Sequence, residues 1–264
     1  MTVTILEAER LSIAFGGLRA VDEVSLAVDS GIVFSIIGPN GAGKTTLFNL
    51  ISGLYTPQDG RVRFGGDDVT GLPPYRLARR GLSRTFQNLQ IFFRMTVLEN
   101  VMVGRHRHEG AGLWSELLHL PSVRRCNQQT REAARAALVR VGLLGSADQL
   151  AGTLPYGALR RLEIARALAS EPKVLLLDEP AAGCNPVETQ ELDRVIRSIV
   201  NDGVTVVLVE HDMRLVMNIS DRIHVLANGR TLTEGTVAEV RSNPAVIEAY
   251  LGAHGASEAA HAVR

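Results

Sequence analysis

The sequence predicts an α/β fold with a parallel-sheet core, a β-rich beginning and an inserted helical lobe. Short apolar runs broken by Gly and Asp fill the first 36 residues. A glycine loop passes into helical spacing at Gly43. Late in the chain two apolar runs, "KVLLLDEP" and "GVTVVLVEHD", flank a helical segment, the alternation that builds a parallel sheet.

The opening runs "RLSIAF", "VDEVSLAVDSG" and "IVFSIIG" read as strands. In "GKTTLFNLISGL", Leu47, Leu50, Ile51 and Leu54 share one helical face and Gly53 lies near the end. Residues about 88 to 153 carry "TVLENVMVG", "LWSELLHL" and "TREAARAALVRVGLL", helical in spacing and separated by Gly and Pro, which predicts the inserted lobe. "PVETQELDRVIRSIVN" is the helix between the two buried strands. Asn228-Gly229, between two extended runs, predicts a hairpin. The ending "GAHGASEAAHAVR" has no apolar period and is expected to be disordered.

With 264 residues and 45% hydrophobic content, the chain can bury a sizeable core. Lys plus Arg and Asp plus Glu number 28 each, so no global field draws it to nucleic acid or an anionic bilayer. The two cysteines, Cys126 and Cys184, match no metal or redox spacing and imply a reducing compartment. No apolar stretch approaches the roughly 18 residues of a spanning helix, and "MTVTILEAERL" lacks a signal-peptide layout. A cytosolic chain is expected.

The strongest chemical signal is "GPNGAGKTT": Gly38, Pro39, Asn40, Gly41, Ala42, Gly43, Lys44, Thr45 and Thr46. It satisfies G-x-x-x-x-G-K-[ST] between a predicted strand and a predicted helix. Glycines let backbone N–H groups converge on a phosphate chain, and the helix N-terminus adds partial positive charge. Lys44 then sits on the β and γ phosphates and the Thr45 hydroxyl on Mg²⁺. In "VLLLDEP" four apolar residues lead to Asp178 and Glu179. Adjacent side chains on a strand point to opposite faces, so the two carboxylates are expected to do different work. Asp178 suits the outer shell of Mg²⁺, and Glu179 the orientation or deprotonation of an attacking water.

The phosphate loop, "FQN" (Phe86 to Asn88), "LPYGALRRLEIARALA", "LLLDEP", "AAGCNP" and "VEHD", in that order along nearly the whole chain, resemble the ATP-binding subunits of ABC transporters. The resemblance implies a P-loop NTPase (RecA-like) core with an N-terminal antiparallel β subdomain and an inserted α-helical subdomain, using ATP and Mg²⁺. It places one ATPase domain over 1–252, with core about 1–87 and 160–252, helical subdomain about 88–159, and a tail over 253–264. Lys44, Glu179, Gln87 and His211 become the catalytic set. Gln87 senses Mg²⁺ and nucleotide and links the core to the lobe, His211 is the switch histidine on the γ-phosphate, and residues 181–186 are the D-loop. Phe15 takes the place of the ring that stacks on adenine, a contact worth about 1 to 3 kcal/mol for a base. The plain alternatives are a core phenylalanine, a satisfied strand-end histidine and, for Gln87, an ordinary loop amide.

Within the family, "LARRGLSRTFQNLQIFFRMTVLENVMVG" and "NPAVIEAYLG" resemble the first of two ATPase subunits of branched-chain amino acid importers. That resemblance implies a second ATPase subunit (heterodimer, with homodimer as the alternative), two membrane permeases and an extracytoplasmic solute-binding protein, with this chain peripheral on the inner face of the membrane. Leu89, Ile91, Phe92, Phe93, Met95 and Val97 are too apolar for a free loop. Either a permease helix covers them or they pack between core and lobe. A related transporter for urea, amides or lipopolysaccharide is the competing reading. A soluble nucleic-acid ATPase is disfavoured by the single cassette, the lack of heptads and the zero net charge.

The family's signature loop usually reads L-S-G-G-Q; here it is Leu154, Pro155, Tyr156, Gly157 and Ala158. The Ser hydroxyl and the Gln amide are missing, and Pro155 lacks an N–H. Gly157, its neighbouring amides and the positive end of the helix carrying Arg160, Arg161 and Arg166 are expected to face a γ-phosphate with fewer bonds. In this family each ATP lies between one subunit's phosphate loop and the other's signature, so "LPYGA" would complete the partner's site and either weaken it or, as the alternative, be neutral there.

Overall fold

The computed structural model describes residues 3–106 and 121–250. Strands β1 (Thr4–Phe15) and β2 (Leu18–Asp29) pair antiparallel, each burying an apolar face. Strand β3 (Val33–Ile37) is buried throughout and leads through the phosphate loop into helix α1 (Lys44–Ile51). Strands β4 (Asp59–Phe64) and β5 (Asp67–Asp68) return to β1, giving an antiparallel sheet of order β2-β1-β4-β5. This is the expected N-terminal antiparallel part.

Helix α2 (Pro74–Arg80) starts on a proline, whose fixed φ suits the first helical position, and ends on Gly81 at φ 103°. It feeds the short strand β6 (Leu82–Arg84). The helical part follows as α3 (Val97–Val103), α4 (Pro121–Arg140) and α5 (Tyr156–Leu168). Thr96 and Glu99 start α3 with a capping box. The expected helical stretch "LWSELLHL" and the expected tail lie outside the described residues.

Strand β7 (Val174–Asp178), helix α6 (Pro186–Asn201) and strand β8 (Thr205–Val209) then alternate as predicted, and helix α7 (Met213–Ile219) follows. Strands β9 (Arg222–Ala227) and β10 (Arg230–Gly235) form the predicted hairpin, with Asn228 at φ 50° and Gly229 at φ 76°. Helix α8 (Val237–Ser242) and helical residues 244–250 end the described chain.

The second sheet has the order β10-β9-β3-β8-β7-β6, parallel from β9 to β6 with β10 antiparallel at one edge. Strand alternation divides its apolar side chains between two layers. Val174, Leu176, Val207 and Val209 join α1 and the antiparallel sheet. Leu175, Leu177, Val206 and Leu208 join α3, α4, α5 and α6. Each such side chain, withdrawn from water, contributes about 1.5–3 kcal/mol. One apolar cluster therefore unites the helical part with the sheet, and α5 runs unbroken across the boundary expected near 159–160.

Candidate active site

The phosphate loop occupies the turn between β3 and α1, at the carboxyl end of a central strand. Gly43 sits at φ 97°, and a Cβ there would lie 2.3 Å from the Ala20 carbonyl oxygen, so only glycine fits. The Gly229 N–H donates to Ala42 O at 3.0 Å, bracing the loop against the β9–β10 hairpin. The first turn of α1 holds no acidic residue, leaving its positive end uncompensated. Lys44 Nζ donates to Gly38 O at 2.7 Å and Pro39 O at 3.1 Å. Burial pushes its ammonium below the ordinary value, and nearby Glu179 opposes that shift. Residues from Asn40 to Thr46, Glu179 and the Leu18 to Ala20 segment line a cleft of about 430 Å³.

The two carboxylates diverge for a reason other than strand alternation, which is a correction to the sequence reading. Strand β7 ends at Asp178, and Glu179 adopts a left-handed φ of 47°, so a turn of the backbone sends the side chains apart. Asp178 is 4% exposed and accepts from Arg84 Nη2 at 2.7 Å. Glu179 Oε2 accepts from Gln87 Nε2 at 2.9 Å and lies 3.8 Å from His211 Nδ1. Lys44, Gln87, Glu179 and His211 are thus brought to one place from four segments. Glu210 is fully buried and accepts from the Ala181, His211 and Asp212 N–H groups, holding the histidine loop against the D-loop.

The sequence profile of the family described as "ABC transporter" matches residues 21–182. BraF of Pseudomonas aeruginosa, a high-affinity branched-chain amino acid transport ATP-binding protein, is 48% identical over 96% of this chain and 99% of its own length. The chain belongs to the ABC transporter family. LivG of Escherichia coli K12, named likewise, is 47% identical over 96% of this chain and 99% of its own. Among solved structures, the ADP conformation of the ABC cassette MJ1267 matches with a TM-score of 0.84 and 35% identity, covering 95% of this chain and 100% of that one. A second profile, described as "Branched-chain amino acid ATP-binding cassette transporter", matches residues 230–256. The protein is therefore an ATPase coupled to transport, and its cassette binds ATP.

The remaining expected residues of the cassette lie elsewhere. Phe15 is 47% exposed, so it is no core residue, and its ring meets Tyr55 edge-on at 5.4 Å. The signature residues do not line the phosphate cleft. Pro155 caps α5 without a side-chain bond, and the Gly157 N–H donates to Glu188 Oε1 at 3.0 Å. The signature arginines are engaged within the chain. Arg160 reaches Tyr156 Oη at 2.9 Å and Glu163 at 3.6 Å, Arg161 reaches Glu191 at 3.2 Å, and Arg166 donates to Gln90 O. Tyr156 Oη in turn donates to Ala182 O at 3.1 Å, fastening the signature to the D-loop.

The apolar stretch divides between its two readings. Ile91 and Val97 are buried in the core cluster, whereas Phe92 is 48% and Phe93 53% exposed. Buried Asn100 holds their loop, accepting from Phe92 N–H and donating to the Phe92 and Thr96 carbonyls. The Thr45 hydroxyl, the Asp178 carboxylate and the Gln87 amide oxygen are all hard oxygen donors, a set that fits Mg²⁺. The described residues contain no group of three or more His, Cys, Asp or Glu able to hold a metal ion. Sequence reasoning missed Arg84, Glu188 and Glu210, whose positions become telling only when distant segments meet.

Proposed function

We propose that this cassette is the ATP-hydrolysing subunit of an importer for branched-chain or related amino acids. The match over residues 230–256 carries the solute class, because it covers a part of the chain that lies beyond the general cassette match. Urea, amide or lipopolysaccharide transport remains the alternative reading.

In this reading the backbone N–H groups of Asn40 to Thr46 cradle the phosphates, with Lys44 leaving its loop carbonyls for the β and γ oxygens. Phe15 and neighbouring Tyr55 offer an exposed aromatic surface to adenine. Thr45, Asp178 and Gln87 would hold Mg²⁺, which supplies charge neutralisation on the phosphate oxygens when bound. Glu179 orients or deprotonates the attacking water, and His211 contacts the γ-phosphate. Gln87 reports the state of the site to the helical part through its bond to Glu179.

The partners proposed are a second ATPase subunit, two permeases and an extracytoplasmic solute-binding protein. No helix of the described residues is long and apolar enough to cross a membrane. A groove of about 560 Å³ lined by Phe86, Leu89, Ile91, Phe92 and Val103 offers a permease helix an apolar seat. Peripheral attachment to the inner membrane face through those permeases is part of the same proposal.

The site completed by this chain's signature is proposed to be the weaker of the two in a heterodimer. Pro155 brings no N–H, Ala158 no side-chain amide, and Glu188 already holds the Gly157 N–H. A charge-assisted hydrogen bond contributes roughly 1.5 to 3 kcal/mol, so each loss weakens closure without abolishing it. Mutating the phosphate-loop lysine of each subunit in turn should give unequal losses of turnover; equal losses count against the asymmetry. The transport reading is tested by reconstituting the chain with its permeases, second ATPase and binding protein in liposomes. ATP-dependent leucine accumulation is expected, and accumulation of urea in its place would move the protein to the alternative.

A further inference from the structure

Arg84, the last residue of β6, lies where three predicted parts of the site converge. Its side chain is 9% exposed. Nη2 donates to Asp178 Oδ2 at 2.7 Å, while Nη1 donates to Asn49 Oδ1 at 2.8 Å and Ser52 Oγ at 2.5 Å. Asn49 lies within α1 and Ser52 caps it, so the same guanidinium grips the helix that begins at Lys44 and Thr45. Its Cζ also lies 4.9 Å from the centroid of Phe48 and 5.5 Å from that of Phe86. Phe86 immediately precedes Gln87.

A buried ion pair persists when its geometry is good and its remaining donors are bonded. Here three acceptors hold Nη1 and Nη2 and two aromatic rings flank the planar cation, while its buried Nε has no hydrogen-bond partner. These five partners fall on three segments, each carrying a different predicted oxygen donor: Phe48, Asn49 and Ser52 on α1 and its cap with Thr45, Asp178 itself at the end of β7, and Phe86 next to Gln87. Arginine suits the position because its rigid fork can grip two partners while its face stacks, whereas lysine presents one point charge on a flexible stem.

We propose that Arg84 is a positioning residue that fixes the spacing of Thr45, Asp178 and Gln87 and so sets the Mg²⁺ requirement for nucleotide binding. The proposal rests on the Mg²⁺ reading given above. Two substitutions separate geometry from charge. Arg84→Lys keeps a positive charge beside Asp178 but loses the fork and the stacking. Asn49→Ala leaves the Arg84–Asp178 pair intact and removes one tether to α1.

The test uses the full-length chain and the fluorescence of trinitrophenyl-ATP, titrated with magnesium chloride and separately measured in EDTA. Arg84→Lys is expected to raise the Mg²⁺ midpoint roughly tenfold or more, the size typical when a group that orients a metal ligand is altered. Its affinity in EDTA should stay at the wild-type value. Asn49→Ala should move the midpoint the same way by less, and it decides the matter should Arg84→Lys not fold. Unshifted midpoints in both variants overturn the proposal. Equal losses with Mg²⁺ and in EDTA also overturn it, because they mark a general structural role. A wild-type chain indifferent to Mg²⁺ would instead remove the Mg²⁺ reading on which the proposal stands.

Discussion

The Gln87 amide donates to the Glu179 carboxylate at 2.9 Å, linking two residues that are 92 positions apart. Gln87 stands where the chain leaves the parallel sheet for the helical part, and Glu179 stands just past the end of β7. The contact gives the proposed base a physical connection to the surface on which a permease would dock. At saturating Mg²⁺, Gln87→Ala should leave ATP binding near wild type and lower permease-stimulated turnover by about tenfold, the scale of one hydrogen bond to a charged group. ATPase rates with and without reconstituted permeases check this.

Glu179→Gln keeps the size of the side chain and removes its basicity. Turnover should fall by about 10²- to 10⁴-fold, the usual contribution of a positioned base, while ATP still binds. Phosphate release and equilibrium binding, measured on one preparation, test both halves. Near-normal hydrolysis would remove Glu179 from the mechanism.

The ammonium of Lys44 is pushed below its ordinary value of 10.5 by burial, with Glu179 opposing. The charged form is the one that faces phosphate, so affinity is full below the depressed value and falls as pH rises through it. ATP affinity should therefore decline at a pH below 10.5, and Lys44→Ala should bind weakly without that step. In the nucleotide-free chain the folded state binds fewer protons than the unfolded state between the depressed value and 10.5, so stability rises with pH across that interval. Affinity and thermal unfolding followed against pH should thus move in opposite directions.

Gly157 and Glu188 hold the signature to the start of α6. A Cβ at position 157 would lie 2.5 Å from Glu188 Cγ, so Gly157→Ala should cost about 1–3 kcal/mol by overpacking. Glu188→Ala removes that obstacle and also the capping-box acceptor, at about 0.5–2 kcal/mol. Because the two residues touch, the double variant should lose less than the sum of the single losses. Thermal denaturation of the three variants measures the coupling; additive losses would show that the residues act independently.

Much of the fold was legible because its signals are local. The alternation in β1 and β2, the unbroken apolar runs of β7 and β8 and the Asn228-Gly229 turn each declare themselves within a few residues. The phosphate loop does the same, since its glycines, lysine and threonine are contiguous. What stayed hidden depends on long-range contact. Nothing within "LSRTFQ" announces that Arg84 will meet Asp178, and nothing within "PVETQ" announces that Glu188 will take the Gly157 N–H. The divergence of Asp178 and Glu179 was anticipated for the wrong reason, because a left-handed residue after an apolar strand leaves no trace in periodicity. Arg160, Arg161 and Arg166 look like free positive charge in a list of residues, and only packing against α6 and the Gln90 loop shows that they are engaged.

Calorimetric titration of ATP into the purified chain with Mg²⁺ tests the central claim most directly. Saturable binding at one site per chain is predicted, weakened about tenfold or more in a folded Lys44→Ala variant, as expected for a lost charge-assisted contact. Absence of binding to the wild-type chain, or equal affinity in the two proteins, would contradict the account.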